Sequence, residues 1–339
     1  MKFTTIQSEG SLISAEVLSE IYSGEENGQK PKDFALDKNV RLTDEIAACW
    51  ADSKAFWEAF KHSLRKIAEE QTGASQTREQ WILPLLRTLG FEGITFSKSA
   101  AQVGGRTYFI SHRLGKSDDG LPIHIEGANV DLDKRSPTGR PRISPHALVQ
   151  EYLNRTEHLW AIATNGKKFR LLRDSERLSR PTYLEFDLEQ MMDGEHFSEF
   201  QLFYRLAHQT RWPQNTEVAH ECLLEQYYQQ GIEAGGRVRE RLRVGVEEAL
   251  KIFGNGFLNH SNNEDLKNKI QSGEISTQDY YRRLLLIIYR FLFLMVSEER
   301  NLVGPDPQND HFRQIYDSYY SISRLRQKVE KSVNVEDRH

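Results

Sequence analysis

Between Thr43 and Glu70 the apolar side chains Ile46, Trp50, Phe56, Trp57, Phe60, Leu64 and Ile67 recur at mostly three- and four-residue steps. That spacing predicts a helix with one buried face. A shorter helical segment precedes it at Leu12 to Tyr22, followed by a polar loop from Gly24 to Lys38. Thr77, with Glu79 and Gln80 behind it, reads as a helix start, and Trp81, Leu85, Leu86 and Leu89 carry the apolar face as far as Gly90.

The pattern then changes. Tyr108 to Ser111, Pro122 to Glu126, Leu159 to Thr164 and Phe169 to Leu172 predict strands, the last two joined by Asn165-Gly166, a strong hairpin signal. A helix beginning near Ser144 feeds that hairpin. Beyond Asp187 the periodicity is helical again, at Phe197 to His208, Glu217 to Gln230, Arg237 to Phe253, Thr277 to Arg300 and Arg313 to Glu330. The segment Leu302 to Asp310, with Pro305 and Pro307, separates the last two. The expected class is α+β in three parts: an N-terminal helical segment (1–75), an α/β domain (76–190) and a C-terminal α-helical bundle (191–339). No internal repeat or low-complexity tract interrupts it.

Composition narrows the classes. With 339 residues the chain can bury more than one core. Its 45 basic and 49 acidic residues give a net charge of -4, so any nucleic-acid contact has to be a local patch. Cys49 and Cys222 are the only cysteines. Two thiols exclude a disulfide scaffold or a cysteine-built zinc site and fit a reducing, cytoplasmic setting. The start, MKFTTIQSEGSLIS, lacks the apolar core of a signal peptide. The longest apolar run, Leu284 to Val296, is broken by Arg290 and is short for a membrane span, so it reads as a buried helix, with a membrane span as the alternative, and no membrane partner is expected.

The stretch from Ile123 to Lys134, IHIEGANVDLDK, carries Glu126, Asp131, Asp133 and Lys134. Nucleases of the PD-(D/E)XK type hold Mg²⁺ with carboxylates at the ends of adjacent strands, because a hard cation takes oxygen ligands, and a lysine steadies the developing charge. Asp118 or Asp119 before a strand, Glu126 on it and Asp131 beyond it are candidate metal ligands. Asp131 and Asp133, alternating, with Lys134 close by, could complete a catalytic set. The expected Glu-x-Lys reads Glu126-Gly127-Ala128, without its lysine, and Asp-Leu-Asp-Lys-Arg-Ser-Pro-Thr-Gly is equally ordinary loop composition. Lys134, Arg135, Arg140 and Arg142 form a basic stretch suited to phosphate, and Gln150 is a further DNA-contact candidate. The arginines between Arg237 and Arg243 fan around a helix and are diluted by glutamates.

Other chemistries lack their signatures. His220-Glu221 has no second histidine four positions on, and the remaining histidines (112, 124, 146, 158 and 208) are scattered and read as surface or satisfied core residues. There is no phosphate loop, no dinucleotide loop and no Gly-x-Ser-x-Gly elbow.

Taken together, WILPLLRTLGF, ISPHALVQEYLNRTEHLWAIATNGKKFRLLRD, YLEFDLEQMMDGEHFSEFQLFYRLAHQTRW, DYYRRLLLIIYRFLFLMVSEERNL and YYSISRLRQ resemble, in order, the N-terminal region of type IIG single-chain restriction-modification adenine methylases and related phage-defence methylases. The resemblance implies a PD-(D/E)XK nuclease-like domain and a helical connector ahead of an adenine-N6 methyltransferase that uses S-adenosylmethionine. The methyltransferase's Asn-Pro-Pro-Tyr-like tetrapeptide is absent, and the chain ends where that domain would begin, as a fragment or split gene product would. The expected function is therefore a DNA- or partner-docking module with a degenerate nuclease core. Its partners would be double-stranded DNA and a methyltransferase part or other defence subunits. A Mg²⁺-dependent endonuclease using Asp118 or Asp119, Glu126, Asp131, Asp133 and Lys134, and a protein-interaction scaffold without nucleic acid, are the alternatives.

Overall fold

A computed structural model describes residues 3–68, 71–135, 142–175, 181–303 and 310–329. The fold is mixed α+β, and the chain divides into two compact units, Met1–Gly235 and Gly236–His339. These boundaries differ from the breaks at 75 and 190 expected from the pattern, for reasons visible in the first unit.

That unit contains β1 (Ile6–Glu9), α1 (Ala15–Ser23), α2 (Leu42–Leu64) and α3 (Ala74–Gln76). The last runs through a π-helical stretch, Thr77–Ile82, into α4 (Leu83–Thr88). Then come β2 (Ile94–Phe96), β3 (Ala101–Val103), β4 (Arg106–Tyr108), β5 (His112–Leu114), β6 (Pro122–Ile125), α5 (Pro145–Leu153), β7 (Trp160–Thr164), β8 (Lys168–Arg173), β9 (Tyr183–Asp187), α6 (Leu188–Asp193) and α7 (Phe197–Ala207). Seven strands form one sheet in the order β1-β9-β8-β7-β6-β5-β2, and β3 and β4 make a separate ribbon. Every neighbouring pair is antiparallel except β6 and β7, where Ile123 faces Ile162 in parallel register. A parallel pair needs a crossover, and α5 supplies it.

Both faces of this sheet are covered, which is why β7, Trp-Ala-Ile-Ala-Thr, is buried throughout instead of alternating. Trp160 and Ile162 join the larger core with Phe169, Leu171, Leu184 and Phe186, packed with α1, α2, α4 and α7. Ala161 and Ala163 meet Leu148, Val149, Tyr152 and Leu153 of α5 in a second core. The amphipathic face of α2 is realised as expected: Ile46, Trp57 and Phe60 are buried, and Trp57 and Phe60 form an aromatic slab with Trp81. The Asn165-Gly166 hairpin also forms. Asn165 Oδ1 accepts the amides of Lys167 and Lys168, extending the connection to three residues, and Gly166 takes φ 82°.

Residues 1–75 are thus not a separate layer. β1 pairs with β9, and the buried Glu199 of α7 accepts hydrogen bonds from the Thr4 and Thr5 amides and the Thr5 hydroxyl. The helices after 190 likewise belong to the first unit as far as α7 and the start of α8 (Leu223–Asn259), because Phe200, Phe203, Leu206, Leu224 and Tyr227 complete its core.

Of the second unit the described residues include α9 (Glu264–Gln271), α10 (Thr277–Glu299), α11 (Asp310–Tyr319) and α12 (Ile322–Val329). The two helices expected at Glu217 to Gln230 and Arg237 to Phe253 are one helix, α8. The single helix expected at Arg313 to Glu330 is broken before Ile322, where buried Glu298 accepts the Ile322 and Ser323 amides. α10 is not the buried helix its composition implied: only Leu284, Ile288, Ser297 and Glu298 are buried, and Leu286, Tyr289, Phe293 and Met295 are exposed. No helix among the described residues is long and apolar enough to cross a membrane.

Candidate functional site

The sequence-expected site residues do not converge. Asp118 and Asp119 are exposed in the turn between β5 and β6, whereas Glu126 follows the far end of β6. Four strand residues separate the two ends by roughly 13 Å, while Mg²⁺ holds its oxygens at about 2.0–2.1 Å. Asp133 is committed elsewhere: both its oxygens accept from Arg170 at 2.7 Å, and Arg170, 1 % exposed, also donates Nε to buried Glu185. The guanidinium holds the Asp133 carboxyl below its ordinary value. Asp131 accepts the Asp133 amide in a local turn and forms a solvent-exposed pair with Lys134. The turn reading therefore describes Asp131 and Asp133 better than the metal reading, and Mg²⁺ does not fit this set. Among the described residues no group of three or more histidine, cysteine or acidic side chains is arranged to hold a metal.

Lys134, Arg135 and Arg142 are exposed, and Arg140 lies outside the described residues. Gln150 is not a free surface group. Its Nε2 donates to Asn154 Oδ1 and to the Arg173 carbonyl, tying α5 to the end of β8. In the arginine run, Arg243 is paired with Glu240 and Glu247.

What the sheet does assemble is a cleft of about 550 Å³ where β5 begins and β6 ends. Arg78, Phe96, Phe109, His112, His124 and Glu126 line it, along with Ser111 and Leu148. The backbone here is held from several sides. The Glu126 amide donates to the Thr164 carbonyl, continuing the parallel ladder, and the Ala128 amide donates to Thr77 Oγ1 at 3.0 Å. Gly127 is required at this approach, since a Cβ there would stand 2.0 Å from the Thr72 carbonyl oxygen. Ser111 Oγ accepts the Ile125 amide at 2.8 Å. Arg78 sits in the π-helical stretch, a distortion that often accompanies functional sites, and its guanidinium lies 5.4 Å over the Phe96 ring.

The polar groups of the cleft are unevenly satisfied. His124 is 3 % exposed; its Nε2 lies 3.3 Å from Glu126 Oε1 and its Nδ1 has no hydrogen-bond partner. His112, edge-on to Phe96, is pushed down to about 4 by burial and then by Arg78, so it is neutral at neutral pH. Phe96 and Phe109 are 51 % and 38 % exposed at the opening and stand edge to face. Buried His112, His158 and His208 are satisfied core residues as expected, hydrogen-bonded to Ser111, Thr156 and Thr210, whereas buried His124 and His146 each leave Nδ1 unpaired and depart from that expectation. A signal existed: in Pro-Ile-His-Ile-Glu, His124 and Glu126 are two apart and so share one side of a strand. No family model, no curated protein and no solved structure matches this chain.

Proposed function

We propose that Met1–Gly235 is a nuclease-like unit of the PD-(D/E)XK kind that has lost its metal ligands and docks double-stranded DNA without cutting it. It would serve a restriction-modification or phage-defence system in which any methylation by S-adenosylmethionine belongs to a separate part. Support for the nuclease-like core comes from the chain order of helix, three antiparallel strands β2, β5 and β6, crossover helix α5 and parallel strand β7. The observation that carries the loss of cutting is the dispersal of the carboxylates. Asp133 is spent on Arg170, Asp118 and Asp119 stand at the opposite end of β6, and Glu126 is left with a histidine where a second acid and a lysine would be needed. Lys134, Arg135 and Arg142, all exposed, offer the phosphate contacts. The test is fluorescence anisotropy with a labelled duplex at 50 and 200 mM salt. The reading expects binding that weakens steeply as salt rises; affinity independent of salt, or none at all, would reject it.

A second reading, docking of a protein partner by the helical unit, is favoured by a different observation. All the exposed large hydrophobic side chains among the described residues, except Phe96, Phe109 and Ile232, lie in that unit. Apolar exposure on this scale marks interaction surfaces. It includes a groove of about 810 Å³ lined by Phe253, Ile288, Phe291, Leu292 and Met295. Failure of the chain to bind any duplex, together with reversible self-association that scales with concentration, would put this reading first.

A further inference from the structure

We propose that the cleft at the ends of β5 and β6 receives one unpaired nucleobase that carries an exocyclic amino group, together with its phosphate. This rests on the DNA-docking reading and deepens it. Three properties of the cleft select that ligand. Its volume, about 550 Å³, falls in the range of small-molecule sites. Two aromatic rings of its lining, Phe96 and Phe109, are half-exposed in spite of their size. Proteins that take a base out of the stack hold it against such rings and read its hydrogen-bonding edge.

The polarity of the interior decides the class of base. If His124 Nε2–H donates to Glu126 Oε1, its Nδ1 is a lone pair without a donor, and the carboxylate has further lone pairs to offer. The groups awaiting partners are then acceptors. An amino group supplies N–H donors to them, whereas thymine has no amino group and turns two carbonyl oxygens towards the carboxylate. Burial keeps His112 neutral, so it adds no competing cation inside. Arg78, fixed over Phe96 and always charged, stands at the same cleft as the group for a phosphate. Glu79, which pairs with Arg78 at 2.7 Å, is largely exposed and leaves other N–H groups of the fork free to donate.

The experiment uses the full chain and labelled duplexes carrying one bulged adenine, cytosine, thymine or abasic residue, compared with the fully paired duplex. Titrations with dAMP, dCMP and dTMP run alongside. Wild type should bind the bulged adenine or cytosine at least tenfold more tightly than the paired, thymine and abasic duplexes. In Phe96→Ala/Phe109→Ala, with an unchanged unfolding midpoint as the folding check, that ratio should fall to about one. Glu126→Gln, which adds a donor in place of an acceptor, should move the preference towards thymine. Equal affinity for paired and bulged duplexes, with no mononucleotide bound, would overturn the inference and leave DNA docking standing. Binding of dAMP or dCMP without any duplex binding would retain the base site, as one for free nucleotides, and remove the docking reading. Binding of neither would remove both.

Discussion

Substitution at Asp133 separates a structural acid from a catalytic one. Arg170 is almost fully buried, and its three donating nitrogens go to Asp133 and Glu185, with its guanidinium 4.3 Å over the Tyr183 ring. Removing one partner of a buried pair costs about 3–5 kcal/mol, because a charge is left unpaired. For Glu185→Ala that range applies, since Glu185 is 4 % exposed and also holds Lys168. For Asp133→Ala it must be reduced. The Asp133 side chain is 58 % exposed, water can replace part of its role, and Glu185 still serves Arg170. We expect roughly 1–2 kcal/mol, which for a unit of this size lowers the unfolding midpoint by about 2–8 °C. Urea unfolding followed by tryptophan fluorescence reads both variants. A carboxyl held below its ordinary value stabilises fully above about pH 4 and loses that contribution as pH falls through its folded value. Asp133→Ala should therefore narrow its gap from wild type below pH 4. Wild-type stability in Asp133→Ala, combined with loss of Mg²⁺-dependent duplex binding, would refute this reasoning and return Asp133 to a metal site.

His112, His146 and His208 are each held down to about 4 by burial, so stability should be complete above about pH 6.5 and fall as pH drops towards 4. The slope near pH 5 should approach about 1.4 kcal/mol per pH unit for each of them, and His208→Gln should flatten it in urea titrations across that window. Cys49 and Cys222 are pushed up to about 11 by burial, and Cys49 is 3 % exposed. A thiol reagent at pH 8 should label Cys49 only as fast as the protein unfolds; stoichiometric labelling within minutes in native buffer would contradict the packing. If Lys134, Arg135 and Arg142 contact phosphate, Lys134→Ala/Arg135→Ala/Arg142→Ala should reduce the log–log salt slope of duplex binding by up to about 2.7. An unchanged slope would place the docking face elsewhere.

Elements whose partners are near in sequence were legible. α2 declared its buried face through Trp57 and Phe60, and Asn165-Gly166 declared the β7–β8 hairpin, because periodicity and turn chemistry are local. The strand β1 was not legible. Ile6–Glu9 is four residues with half-exposed ends, and only its distant partner β9 makes it a strand. The site failed for a related reason. Asp131 and Asp133 looked like ligands because acids cluster there, but Arg170, 37 residues on, decides what Asp133 does. His112 and His124 looked scattered because β5 and β6 bring them together only through long-range pairing. The apolar run Leu284 to Val296 misled in the opposite sense, since composition predicts burial without saying what does the burying.

The most direct test of the claim that this sheet end docks without cutting is a cleavage assay on supercoiled plasmid with the purified chain, in 5 mM Mg²⁺ or in EDTA, for wild type and Glu126→Gln. The expected result is the same intact plasmid in all four reactions. Nicking or linearisation that needs Mg²⁺ and disappears in Glu126→Gln would contradict it and make Glu126 a catalytic ligand.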